Sequence, residues 1–361
     1  MPASASSSPS PSLAPGPLLR RLVTLGPHAG AHRAAARAGI AIGVPLVALE
    51  LTGHIDLALY AVFGAFTALY GRDHTHGTRL RMQATAALAL IACVVLGTAI
   101  AVSPLRDWLI VPVAAVVAGA LTLAADALDW HPPGALFFVF ALAACASVPA
   151  EPVGVLVALA LAGASAAFAM LVSGAGIAHP AARRREPTRL RVSLRAALAR
   201  PGERTKIAGL AVAVLVAGAV PTVSGLGHPY WAMVSAVAAL SAADIAGHLV
   251  RAGHRVLGTL AGVALAAALL ALSTVPLVLV LFAVLLQVGA ELFVMRNYGL
   301  AMVFVTPLAL IMSYLAHPGS EWALLGDRTL ETLLGTAVGL AVSAVVALTR
   351  RGRSPRAPVV P

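Results

Sequence analysis

Apolar runs of roughly membrane length follow one another along most of this chain, separated by short polar breaks. A helix rising 1.5 Å per residue needs about 20 apolar residues to cross a hydrocarbon core about 30 Å thick. On that scale the pattern predicts about twelve spans. Six lie near 35–52, 55–71, 83–102, 108–125, 133–149 and 152–173, and six near 206–223, 229–243, 256–272, 274–292, 298–316 and 328–349. Several of these runs are short for the task. The predicted fold is an all-α polytopic membrane protein of about twelve transmembrane helices, arranged as two parallel six-helix repeats.

The polar stretches divide the chain. Residues 1–30 read as a disordered N-terminal tail, rich at first in Ser, Pro and Ala and without the apolar centre of a signal peptide. Residues 31–178 form the first membrane half, 179–205 a basic linker, 206–349 the second half and 350–361 a basic C-terminal tail. An internal match supports the division. DLALYAVFGAFTALYGRD at 56–73 aligns with GHPYWAMVSAVAALSAAD at 227–244, placing Tyr60 opposite Trp231 and Asp73 opposite Asp244. Parallel repeats are a known transporter plan, with the substrate site where the halves meet.

Composition agrees with the pattern. The 361 residues are 60% hydrophobic and only 11% charged, with a mean hydropathy of +0.91, against about 25% charged in a soluble domain. The net charge of +11 is no sign of nucleic-acid binding, because the basic residues lie between apolar runs. With both termini in the cytoplasm, every Arg and the sole lysine, Lys206, fall on the inner side except Arg106 and Arg328, as the positive-inside rule requires. Cys93 and Cys145 sit inside apolar runs and read as small buried hydrophobes rather than a disulfide.

The candidate chemistry gathers around 228–262. Asp244, His248, Arg251 and Arg255 are spaced four, three and four apart, so a helix projects them from one face, continued by Gly258 and Gly262. An arginine at mid-membrane costs about 2.5–3.5 kcal/mol on insertion scales, and a guanidinium forks onto a carboxylate. Arg251 and Arg255 are therefore candidates for an anion path, or else interfacial anchors. Asp244 and His248 either pair with these arginines or carry a proton, a task that suits a histidine near neutral pH. His254 reads as solvated. His228, Tyr230 and Trp231 open a span on the outer side, as belt anchors or as a stacking wall for an aromatic acid.

Other polar groups have plainer readings. Arg296 lies in a polar knot with Glu291, Asn297 and Tyr298, where a Glu291–Arg296 ion pair is expected. Thr306-Pro307 frees backbone carbonyls within a span. The stretches GTLAG (258–262) and GTAVG (335–339) suit close helix packing. Asp327, Arg328 and Glu331 orient the last span. Asp73-His74-Thr75-His76 reads as a polar loop, not a metal site. No GxxxxGK[ST], HExxH or GxSxG motif occurs, so neither an enzyme nor a cofactor is expected.

Four segments carry a family resemblance: HPYWAMVSAV at 228–237, RAGHRVLGT at 251–259, RNYGLAMVFVTPLAL at 296–310 and DRTLETLLGTAVG at 327–339. In their order and spacing they resemble the fusaric-acid-resistance (FUSC-like) membrane proteins, also called aromatic acid exporters. The resemblance covers about 206–349, with the first half as a diverged copy. It implies an exporter of aromatic carboxylic acids, while a plant branch of the family implies anion channels. Family members in Gram-negative bacteria often carry a large soluble domain, where this chain has only a short basic linker. The expectation is a bacterial inner-membrane exporter of small organic anions, aromatic carboxylic acids among the candidates, by secondary transport for which proton coupling is one option. A passive anion channel and a membrane scaffold without flux are the alternatives. The expected partners are the lipid bilayer and the anion; a homo-oligomer and an accessory export partner stay open.

Overall fold

Long apolar runs without charged interruption leave the helix as the conformation that satisfies every backbone amide internally. The computed structural model describes residues 15–28, 30–175, 193–242 and 244–353, and among these residues all regular structure is helical. The tail through residue 14, most of the linker (176–192) and the end of the C-terminal tail (from 354) lie outside the described residues.

The elements run α1 Pro15–Val23, α2 Ala31–Leu51, α3 Ala58–Ala65, α4 His76–Ala101, α5 Arg106–Ala127, α6 Leu136–Ser147 and α7 Pro152–Gly174. They continue with α8 Leu194–Leu198, α9 Glu203–Ser224, α10 Tyr230–Ala239, α11 Ile245–Leu272, α12 Pro276–Phe293, α13 Tyr298–Ala316 and α14 Glu321–Arg353. One-turn 3₁₀ segments flank α3 at Ile55–Leu57 and Phe66–Leu69. Local chemistry sets several boundaries. Proline opens α7 and α12 where no amide donor is needed. The side chains of Asp244 and Asn297 cap α11 and α13, and Gly225, at φ 73°, closes α9 in the left-handed conformation.

Each of the twelve predicted runs coincides with a helical element, but they fall into two classes. Nine among the described residues are long and apolar enough to cross a membrane: α2, α4, α5, α7, α9, α11, α12, α13 and α14. The segment 55–69, α6 and α10 are shorter. At ten residues α10 reaches about 15 Å, half of a hydrocarbon core. The short helices are also the most enclosed, with every residue of α3 and α10 buried. The long ones turn leucine and valine outward, among them Leu88, Val116, Leu156, Leu257, Leu285 and Leu348. Such an apolar exterior suits lipid and would aggregate in water.

Packing ties the parts together. In the first half α3 packs on α7, α4 on α6 and α7, and α2 on α7; in the second α10 packs on α14, α11 on α13 and α14, and α9 on α14. Across the halves α2 meets α12, α5 meets α9, α3 meets α13 and α6 meets α10. Glycine permits the closest approaches. A Cβ on Gly258 would lie 2.6 Å from the Met302 Cβ, and one on Gly335 would run into the Ala232 backbone, as the two glycine-spaced patches predict.

One expectation is corrected at the amino end. Within the segment assigned to a disordered tail, Pro15–Val23 form α1, which packs on α11. The chain then binds α11 and the start of α13: the Leu22 carbonyl accepts from His254 Nε2 (2.9 Å) and Asn297 Nδ2 (2.9 Å). His254 is therefore not a solvated side chain.

Candidate functional site

The site is built around α10, the short buried helix. Three of its positions, Trp231, Ser235 and Ala238, are spaced four and three apart and so mark one face. Each meets an arginine from a neighbouring helix. The Arg328 guanidinium of α14 lies 5.2 Å from the Trp231 ring. One turn along, Arg255 of α11 donates from Nε (3.3 Å) and Nη2 (3.2 Å) to the Ser235 hydroxyl. Ser235 itself donates to the Trp231 carbonyl at 2.6 Å, which leaves its oxygen free to accept. Less than a turn further, Arg251 donates from Nε to the Ala238 carbonyl at 3.2 Å. At 1.5 Å per residue these levels are about 6 Å and about 4.5 Å apart.

Tyr298 of α13 closes the far side. Its hydroxyl accepts from Arg255 Nη1 at 3.2 Å, and its ring carries the Arg251 guanidinium at 4.2 Å. Met302 Sδ adds a soft acceptor to Arg255 at 3.4 Å. Arg255 and Arg328 are each only 2% exposed, and they lie near enough to repel one another. Among the described residues neither has a carboxylate within ion-pair distance. Beside them, among the described residues, enclosed polar atoms lack partners: Arg328 Nε itself, Trp231 Nε1 under its guanidinium, and, within about a turn along the same helices, Glu331 Oε2 and the hydroxyls of Thr259 and Thr332. A buried cation without a counter-ion costs several kcal/mol, and orphaned buried donors add to that cost. The arrangement is what a passing or bound anion would satisfy, because a guanidinium fork and neutral donors match carboxylate oxygens.

The two ends of the row differ. Beyond Trp231, the His228 imidazole stacks on the indole at 4.5 Å and shares Nδ1 with Asp327 Oδ2 at 3.0 Å. Burial holds the His228 pKa below the ordinary imidazole value, and the Asp327 carboxylate opposes that shift. The His228 backbone amide donates to Glu331 Oε1 at 2.9 Å, and the Tyr230 hydroxyl pairs with Ser313 at 3.0 Å. At the other end Asp244 accepts from the Gly247 amide at 2.6 Å. His248 sits between the Ser343 hydroxyl (2.7 Å) and the Ala242 carbonyl (3.0 Å). A carbonyl only accepts, so Nε2 carries the proton and Nδ1 is left for Ser343. A cavity of about 760 Å³ opens beside this end, where α5 and α6 meet α9, α10, α11 and α14; Asp126, Glu203, Lys206, Asp244, His248 and Ser343 are among its lining residues.

The structure brings together Arg251, Arg255, Trp231 and, at the ends, His228, Tyr230, Asp244 and His248. It does not bring in Arg296, which binds the Gly26 carbonyl (3.1 Å) and lies over Phe293. The expected Glu291–Arg296 pair is replaced by Arg72–Glu291 at 3.4 Å. Asp244 is no counter-ion for the arginines; it is a helix cap. Arg328, read from the sequence as an outer-side residue that orients the last span, is buried in the row. Sequence reasoning had one signal for it: apart from Arg106, it was the only basic residue left on the outer side.

Residues 209–342 match the family described as Fusaric acid resistance protein-like. The match runs from α9 into α14 and includes Arg251, Arg255 and Arg328. No curated protein and no solved structure matches the chain.

Proposed function

We propose that this multi-pass membrane protein, whose second half matches the fusaric acid resistance protein-like family, is a secondary exporter of small organic anions, aromatic carboxylates foremost, in a bacterial inner membrane. One observation carries the reading: three arginines line one face of α10, and the two most buried have no acidic partner among the described residues. A row of cations spaced about one turn apart offers an anion successive sites of similar strength, so that it enters without being trapped. Trp231 and Tyr298 supply apolar faces beside the charges, which suits an aromatic body attached to the carboxylate.

The reading includes two parallel six-helix halves with both termini in the cytoplasm. Its support is that the packing partners of α2 to α7 recur seven elements later. The α4–α6 contact has its counterpart in α11–α13, α3–α7 in α10–α14, and the crossings α2–α12 and α3–α13 in α9–α5 and α10–α6. In the first half the α3 segment instead packs Phe63 and Phe66 against Phe140 and Phe137. No chemical reaction is assigned to the protein, and a driving gradient or partner is required.

The test is uptake of a labelled aromatic carboxylate into inverted membrane vesicles with and without a proton gradient. Gradient-dependent accumulation that is lost in Arg255→Ala, with the variant still present in the membrane, supports the exporter. Equilibration that ignores the gradient makes the protein a passive anion channel. No flux over a broad set of organic anions makes it a scaffold.

A further inference from the structure

Glu331 differs from the other buried carboxylates. Glu203 and Glu291 each face a cation, Lys206 at 3.3 Å and Arg72 at 3.4 Å. Glu331 is fully enclosed, and no cation reaches it within ion-pair distance among the described residues. Its Oε1 accepts from the His228 amide, the Trp231 amide also lies against the carboxylate, and Oε2 has no hydrogen bond of good geometry. Arg328 lies three residues earlier on the same side of α14, and its Nε is also unpartnered. In a low-dielectric interior an ionised carboxylate and a free guanidinium sharing one space would be drawn together. They stand apart, as a neutral carboxyl group would allow: its Oε2–H is then a donor that awaits an acceptor.

We infer that Glu331 takes up a proton together with the anion. Protonated, its Oε2–H and the Arg328 guanidinium form a joint site for one carboxylate; ionised, it pairs with Arg328 and excludes the anion. This rests on the anion path proposed above and adds its linkage to pH. The proton comes from water, forming the Oε2–H bond, and returns to water when that bond breaks; no other bond changes. The charged and titratable groups around Glu331 leave it this role. The His228 ring is held by Asp327, and the Tyr230 hydroxyl of α10 by Ser313. Arg255 of α11 and Tyr298 of α13 bind each other next to Arg328. The charged residues of α9, Glu203, Arg204 and Lys206, lie at its opposite end.

The test uses the full-length protein in detergent with benzoate as the probe, by calorimetry from pH 5 to 8 in buffers of different ionisation enthalpy. Wild type is expected to take up about one proton per benzoate, with affinity falling about tenfold per pH unit above the Glu331 transition. Glu331→Gln keeps the acceptor for the His228 amide and places a permanent donor at the Oε2 position, so its affinity is expected not to change with pH. Binding without proton uptake, or a pH dependence retained in Glu331→Gln, overturns the inference. If Glu331→Gln does not fold, proton uptake by wild type decides alone. Binding that needs Arg255 and Arg328 but carries no proton removes only the role of Glu331. Wild type that fails to bind benzoate, or binding indifferent to Arg255→Ala and Arg328→Gln, overturns the anion path as well.

Discussion

Arg255 and Arg328 are both buried cations, yet their surroundings differ in kind. Arg255 is held by two hydroxyls and a thioether, which fix the plane of its fork. Arg328 has an indole face and no hydrogen bond among the described residues. Removing the charge should therefore separate function from stability. Arg328→Met is expected to abolish anion flux and to raise the thermal stability of the detergent-solubilised protein, since it removes the desolvation cost of a buried charge that no counter-ion offsets. A lower melting temperature would show that Arg328 is structural. At Arg255, lysine keeps the charge without the planar fork, so Arg255→Lys is expected to transport at least about tenfold more slowly than wild type while inserting normally. His228 gives a pH test. Its pKa is held down in the fold, so the stability from its neutral ring is present above the unfolded value of about 6.5. That stability is lost as pH falls toward the lower folded value. Melting curves from pH 7.5 to 5 should show this loss in wild type and a smaller one in His228→Gln.

Among the elements, α10 bears most on function and was the least clear in the pattern of apolar positions. Its run reads as a span, and its helix covers only half of a bilayer. The reason is the segment after Ala239, where Leu240 ends the helix and Asp244 starts α11 by capping the Gly247 amide. A short helix can stay buried only if its neighbours come close on every side, and Gly335 lets α14 do so against Ala232. Gly335→Leu is expected to cost at least about 1–3 kcal/mol through overpacking, read as a lower melting temperature. Because the separation would also move Arg328 away from Trp231, flux should fall with it. An unchanged melting temperature would mean that the two backbones are not in contact. Gly258 and Gly262 were legible as a packing stripe for the same reason that the arginines were: one helix face repeats every three to four residues, and α11 is a single unbroken helix through both.

At the scale of the whole molecule, two ion-pair sites join the halves. Lys206 at the start of α9 binds Asp126 at the end of α5 and also Glu203, while Glu291 near the end of α12 binds Arg72 ahead of α4. Lys206→Asp is expected to lower thermal stability by crowding three carboxylates, and adding Asp126→Lys should restore part of the loss. Failure of the double change to recover any stability would show that the pair does not couple the halves.

The sequence by itself determined the membrane class, the twelve apolar helical segments, the stripe of Asp244, His248, Arg251 and Arg255, and the match to the fusaric acid resistance protein-like family in the second half. These are properties of local period and composition, which need no knowledge of neighbours. The tertiary structure alone decided which polar groups meet. It paired Glu291 with Arg72 instead of Arg296, turned Asp244 into a helix cap, and gave His254 a carbonyl 232 residues away. It also carried Arg328 from the last helix to the Trp231 ring and left Glu331 beside it without a cation. Partner choice depends on distances between helices far apart in the chain, and glycine contacts such as Gly335 on Ala232 set those distances where no sequence period reports them.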